Sequence, residues 1–123
     1  MVKTDDLWSL TLFHITGYID DPEMEQKRAA LTDGKLPVLT ISGSFGDAQR
    51  WLNDAKGGKP MHLQLFDNGY DLWMGNNRGT KYSNVSELFP EQNEDFERWN
   101  FSWAELGMYD VPAFMDQIIE VTG

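Results

Sequence analysis

An α/β fold, built as a small and mostly parallel sheet with flanking helices, is predicted by three features of the sequence. Leu36–Ser42 (LPVLTIS) and Tyr70–Met74 (YDLWM) are short apolar runs of strand length, as expected of strands buried on both faces. Between them lies a helical segment, Met61–Asn68, and a strand–helix–strand order calls for parallel pairing. Near the end, Val111, Phe114, Met115, Ile118 and Ile119 recur at helical spacing and form one apolar stripe.

The elements follow in order. Trp8–Ile15 (WSLTLFHI) is rich in aromatic and branched residues and reads as one strand. Tyr18–Gly34 is acidic and polar, with Asp20-Asp21-Pro22 as a turn, and reads as a loop or short helix. Gly43-Ser44-Phe45-Gly46 ends the first buried run, and Asp47–Asn53 has the look of a short helix. Gly57-Gly58-Lys59-Pro60 interrupts the chain before Met61–Asn68, whose stop signal is Gly69. Ser102-Trp103-Ala104-Glu105 matches a capping box, in which serine and glutamate satisfy each other's orphan amides. Pro112 suits the first turn of a second helix or a kink in one long helix, and Gly123 suits a helix end. No repeat or low-complexity tract divides the 123 residues, so residues 1–123 read as one domain.

Composition excludes several functions. Twenty acids against ten bases give a formal charge of −10, which argues against nucleic acid and against anionic membrane surfaces. The absence of cysteine removes disulfides, thiol chemistry and zinc–thiolate sites. No run reaches the roughly 18 apolar residues of a membrane-spanning helix, so no transmembrane segment is expected. Met1–Asp6 has neither signal-peptide nor transit-peptide character. Read as it stands, the chain is expected to be intracellular, with an organelle such as the mitochondrion as the setting for an assembly subunit.

The segment Gly69–Ser83 (GYDLWMGNNRGTKYS) resembles the acid lipases, the gastric and lysosomal family of α/β-hydrolases. The resemblance continues through Trp99–Leu106 (WNFSWAEL) and Tyr109–Ala113 (YDVPA), ahead of a helix ending in Thr122-Gly123. Weaker matches cover Val2–Asp6, Leu10–Ile15 and Leu36–Leu39, where Leu7 stands in place of a turn glycine. The resemblance implies a partial α/β-hydrolase fold, the N-terminal part of the sheet in a truncated domain, and esterase chemistry on neutral lipid esters.

Such chemistry needs a nucleophile elbow, G-x-S-x-G, then an acid and a histidine. The elbow is missing from this sequence. Ser42-Gly43-Ser44 instead falls on the family's His-Gly-Leu oxyanion loop, so Gly43 and Ser44 are a remnant of that loop, with Ser42 where the histidine would be. By the same resemblance the triad follows Gly123, and no catalytic residue, cofactor or metal is expected in residues 1–123. His14 and His62 read more plainly as packed or exposed histidines than as bases, and a Ser44–His62–Asp site has only composition behind it. Gly75, Asn76, Arg78 and Gly79 form a structural loop, in which Arg78 anchors by bonding carbonyls or an acid. Its likeness to a phosphate loop fails because Lys81 follows Thr80. Glu91, Glu94, Asp95 and Glu97 read as a solvated face without calcium-loop spacing. Asn84-Val85-Ser86 and Asn100-Phe101-Ser102 are formal glycosylation sequons that read as coincidental. Trp99 and Trp103, four apart, read as core packing.

These readings favour a non-catalytic, lipase-derived interaction subunit. The alternatives are the N-terminal portion of an active acid lipase whose triad lies on another chain, and a lipid-binding module. A protein partner or homo-oligomer is expected, with its contact at the Tyr70–Met74 strand edge or the final helix, because each apolar side chain left uncovered forgoes roughly 1.5–3 kcal/mol. A lipid ester is the expected ligand if there is one.

Overall fold

A computed structural model describes residues 1–31, 36–43, 46–53, 56–90 and 96–123. Two three-stranded sheets carry the fold. The first joins β1 (Val2–Lys3), β2 (Trp8–Leu10) and β6 (Val85–Ser86), all antiparallel, in the order β1-β2-β6. The second has the order β3-β5-β4, from β3 (Leu12–Ile15), β5 (Asp71–Gly75) and β4 (Pro37–Ile41). Within it β5 pairs antiparallel with β3 and parallel with β4, Leu72 facing Ile15 on one side and Val38 on the other.

The expected mostly parallel sheet is therefore corrected. The β4–β5 pair is parallel, as its helical crossover requires, while the remaining pairs are antiparallel. The single strand expected over Trp8–Ile15 is two strands in different sheets, broken at Thr11. There the Thr11 amide donates to Ser83 Oγ at 2.9 Å and its hydroxyl to the Tyr82 carbonyl at 2.5 Å. Its carbonyl accepts from the Asn76 amide at 3.1 Å and from Asn76 Nδ2 at 3.0 Å, so the Thr11 backbone is tied to the loop after β5 and the chain crosses between sheets at that residue.

Strand order also decides burial. All five residues of β5, the central strand, are buried, whereas β4 is partly exposed along its length. The contact expected at the Tyr70–Met74 edge is thus excluded, because both edges of β5 are already paired; β3 and β4 are the outer strands of this sheet.

Local chemistry explains the connections. Thr4–Leu7 closes the β1–β2 hairpin, with the Leu7 amide donating to the Thr4 carbonyl at 3.0 Å. Leu7 there adopts φ 68°, the left-handed conformation that glycine holds at little cost. Helix α1 (Pro22–Ala30) begins at Asp21, whose carboxylate accepts from the Met24 amide. Its buried Arg28 donates to the carbonyls of Phe66 and Tyr70 at 3.1 and 3.3 Å, with its guanidinium 3.6 Å from the Phe66 ring centre. One side chain of α1 thereby satisfies carbonyls at the end of α2 (Met61–Asp67). A short 3₁₀ turn, Ala48–Leu52, stands where a short helix was expected over Asp47–Asn53.

Residues 103–122 form one continuous helical run. The Ser102–Glu105 capping box is present and opens α3 (Trp103–Glu105). A π-helical segment, Leu106–Asp110, follows and leads into α4 (Val111–Thr122). Pro112 sits in the first turn of α4, directly after the π-helical segment. The core gathers Val2, Trp8, Leu10 and Phe114, with Leu39 and Ile41 packed against them, so α4 covers both sheets. Gly75 permits this approach, since a Cβ there would lie 2.8 Å from the Phe114 ring. The apolar stripe of α4 is only half covered: Phe114 and Ile118 are buried, while Met115 and Ile119 remain 50% and 58% exposed.

Candidate functional site

Parallel strands deliver their loops to a common edge, and in open α/β sheets that edge is where sites form. Here the loops leaving Ile41 at the end of β4 and Gly75 at the end of β5 meet there. Two adjacent asparagines bind them together. Asn76 is fully buried; its Oδ1 accepts from the Ala48 amide at 2.8 Å and its Nδ2 donates to the Thr11 carbonyl at 3.0 Å. Asn77 donates from Nδ2 to the Ser42 carbonyl at 3.2 Å. The first loop is further held by Ser42, whose hydroxyl donates to the Gly46 carbonyl at 2.5 Å, and by a turn in which the Gly46 amide donates to Gly43. Gly43 lies in this turn with nothing near its Cα face. Ser44, expected from the sequence to share an oxyanion-loop remnant with Gly43, lies outside the described residues, and with it any Ser44–His62 pairing.

The second loop closes on itself. Ser83 Oγ donates to the Asn76 carbonyl at 2.6 Å, Thr80 Oγ1 to the Asn77 carbonyl at 2.7 Å, and the Gly79 amide to the Ser83 carbonyl at 2.9 Å. Gly79 is needed twice over: its φ is +78°, and a Cβ would meet Phe101 at 2.9 Å and Trp99 at 3.0 Å.

Arg78 sits at the centre of a three-element clamp. Its guanidinium donates to both oxygens of Asp6, at 2.6 and 2.8 Å, and from Nε to Asp110 at 2.8 Å; its amide donates to the other Asp110 oxygen at 2.8 Å. Arg78 and Asp110 are buried and Asp6 is partly so. One cation thus ties the first hairpin, this loop and the start of α4. Burial opposes charge on Asp6, but the hydrogen bonds from Arg78 and Thr4 outweigh it and hold the carboxyl below its ordinary value. On Asp110 burial wins and pushes the carboxyl up, the Arg78 bonds offsetting it in part. Arg78 is itself held protonated: burial works against its charge and the two carboxylates overcome it. Sequence reasoning expected Arg78 to bond carbonyls or an acid without naming the partner. Both acids lie in stretches that carry the family resemblance, and that is the signal that could have found them.

A cavity of about 270 Å³ opens beside the second loop, lined by Asn77, Thr80, Trp99, Phe101, Trp103 and Leu106 among others. Trp99 and Trp103 do not pack in the core as the spacing suggested. They stand on separate helical turns and are 46% and 69% exposed, walling this cavity.

His14 and His62 are placed apart. His14 Nε2 lies 2.6 Å from Asp71 Oδ1, and its ring stacks on Trp73 at 3.7 Å, while the Trp73 indole donates to the other Asp71 oxygen. Cross-strand pairing of His14 with Trp73 creates this trio, which sequence spacing does not reveal. His62 is buried beneath Trp51, and burial lowers its pKa. Among the described residues no serine or threonine hydroxyl bonds a histidine, so these residues assemble no nucleophile–base pair there. Of the acidic run, Glu91, Glu94 and Asp95 lie outside the described residues, while Glu97 is exposed on a 3₁₀ turn. Among the described residues no group of acids or histidines is arranged to hold a metal ion, and no helix is long and apolar enough to cross a membrane.

Known proteins with similar sequences are lipases. A probable lipase of Schizosaccharomyces pombe is 31% identical over all of this chain and a quarter of its own length. The triacylglycerol lipase 2 of Arabidopsis thaliana is 42% identical over 104 residues, 83% of this chain and 24% of that protein. The gastric triacylglycerol lipase of Mus musculus is 34% identical over 91 residues, 73% of this chain and 22% of its own. No family model matches the chain. The chain spans about a quarter of the length of the relatives it matches.

Proposed function

We propose, for a chain that is a relative of the acid lipases and corresponds to about a quarter of their length, that residues 1–123 are the portion of an ester-hydrolysing α/β-hydrolase that builds the oxyanion-loop side of its site. The carrying observation is the shared edge of β4 and β5, where Asn76 and Asn77 fix the Ser42–Ala48 loop against the Gly75–Ser83 loop. Fixed backbone around a reacting carbonyl is what stabilises an oxyanion, since donors aimed in advance cost no reorganisation. The nucleophile, acid and histidine come from sequence outside residues 1–123, and neutral lipid esters are the substrate class. The Arg78 clamp and the loop residues Gly75, Asn76 and Gly79 hold the edge rather than react. Tested alone against a short-chain nitrophenyl ester, the chain of residues 1–123 should give background rates. Turnover abolished by Ser44→Ala in a folded protein would refute this and point to an improvised serine site.

The second reading is a non-catalytic interaction subunit. Half-exposed Met115 and Ile119 on α4, together with the outer strands β3 and β4, favour it, because apolar surface and unpaired strand edges seek a partner. Ser42 in place of the family's oxyanion-loop histidine favours it too. Sedimentation separates the readings on this point: a monomer at micromolar concentration would remove the support that the exposed stripe gives to a partner.

A further inference from the structure

The cavity of about 270 Å³ beside the second loop is walled by rings. Trp99 and Phe101 stand 6.3 Å apart, and both lie against Gly79, where a Cβ would meet them at 3.0 and 2.9 Å. Trp103 and Leu106 complete the apolar lining, and Trp99 and Trp103 are 46% and 69% exposed. Aromatic surface left open around one concavity gains from an occupant that removes it from water.

The polar part of the lining decides what that occupant is. Thr80 donates its hydroxyl to the Asn77 carbonyl, Ser102 its hydroxyl to Glu105, and Asn77 its Nδ2 to the Ser42 carbonyl. Arg78 is the one charged residue of the lining, and its guanidinium is engaged by Asp6 and Asp110. An anion thus meets no free cation there, in a chain of net charge −10, and a charge buried without a partner is costly. A neutral hydrocarbon chain asks for no hydrogen bond and suits such a wall. The space, that of roughly nine waters, takes one short chain. Asn77 gives the cavity its place, since it also holds the Ser42 carbonyl at the start of the Ser42–Ala48 loop.

We propose that this cavity is the acyl subsite beside the ester site: it takes a short uncharged acyl chain and discriminates against the free acid, which carries a carboxylate. Its place in catalysis rests on the ester-hydrolase reading, while its binding chemistry rests on the cavity alone. NMR titration of the ¹⁵N-labelled chain with methyl octanoate, and separately with octanoate, tests it at pH 7. The indole signals of Trp99 and Trp103, assigned through Trp99→Phe and Trp103→Phe, should move together and saturably with methyl octanoate. The ester should bind about fivefold more tightly than octanoate, or better, because only octanoate brings an unpaired charge. Trp103→Ala removes a largely exposed ring and should weaken ester binding about fivefold or more. Met115→Ala, at the exposed α4 stripe outside the lining, should leave ester binding unchanged. Indole signals that stay in place, or move without saturating, would overturn the proposal. So would equal or tighter binding of octanoate, undiminished binding by Trp103→Ala, or an equal loss in Met115→Ala, which would mean adsorption to any apolar surface. The readout needs no turnover: lost binding removes the acyl subsite and leaves the ester-site reading to its own test, and failure of that reading leaves the binding result intact.

Discussion

Replacing Arg78 with methionine keeps the reach of the side chain and removes the fork that Asp6 and Asp110 share. Asp110 has no exposed surface, and its two oxygens accept from the Arg78 amide and guanidinium at 2.8 Å. Without the guanidinium, Asp110 stays buried with one backbone bond and no counter-charge. Breaking a buried pair from one side costs about 3–5 kcal/mol. Asp6, partly exposed, recovers more of its loss from water. A domain of this size has about 5–15 kcal/mol of total stability, so the variant should lose about a fifth of it or more. Arg78→Lys keeps the charge but cannot bond two carboxylates in one plane, and an intermediate loss of about 1.5–3 kcal/mol is expected. In urea unfolding followed by tryptophan fluorescence, the midpoints should fall in the order wild type, Arg78→Lys, Arg78→Met. Asp110→Asn combined with Arg78→Met should cost less than the two single changes added, because they share one interaction. A loss under about 1 kcal/mol for Arg78→Met, or strict additivity in the double variant, would refute the clamp.

Three further outcomes follow from the same structure. Gly75→Ala sets a Cβ 2.8 Å from the Phe114 ring and should destabilise by about 1–3 kcal/mol; an unchanged urea midpoint would show that α4 does not approach so closely. Leu7→Gly relieves a left-handed backbone at φ 68° and should raise thermal stability by about 1 kcal/mol; a clear loss would mean that the packing of the Leu7 side chain outweighs the strain. Asp6, Asp67 and Glu105 are all held below their ordinary values. For Asp6 and Asp67 burial is overcome by the hydrogen bonds of Arg78 and Thr4 and of Lys59 and Tyr18, and for Glu105 the Ser102 amide and hydroxyl are the cause. Their contribution is present above the ordinary carboxylate range, near 3.8 to 4.5, and is lost as pH falls through the lowered folded values. Asp110, pushed up by burial, acts in the opposite sense. Stability should hold from pH 6 to about 5 and fall below about 4; a steady rise in stability toward pH 3 would mean that Asp110 dominates.

What could be read from the sequence follows the range of the interactions. The parallel pairing of β4 with β5 was legible because a helical crossover between two apolar runs leaves little alternative. The α4 stripe and the Ser102–Glu105 box were legible because both are patterns within a turn or two of helix. The antiparallel pairs were not: β1 and β6 have two residues each and no periodicity to detect. The break at Thr11 depends on Ser83 and Tyr82, 72 and 71 residues away. Burial of β4 was overestimated because an apolar run does not record whether its strand ends up central or at an edge. At the candidate site, a structural loop with an anchoring arginine showed in the sequence, while the need for glycine at 79 and Asp6 and Asp110 as partners of Arg78 needed the folded chain. Trp99 and Trp103 misled because helical spacing marks a face without saying what covers it.

The ester-site reading is tested most directly by a chimaera in which residues 1–123 replace the matching segment of the mouse gastric triacylglycerol lipase, assayed on a triacylglycerol emulsion. If this chain builds the oxyanion-loop side of the site, the chimaera hydrolyses ester above background. Its rate is expected to lie below the parent by about the 10²–10³ that one lost oxyanion-loop contribution costs, and Ser42→His should recover part of it. A folded chimaera that shows no turnover, and gains none from Ser42→His, would contradict the account and leave the interaction subunit as the function of the chain.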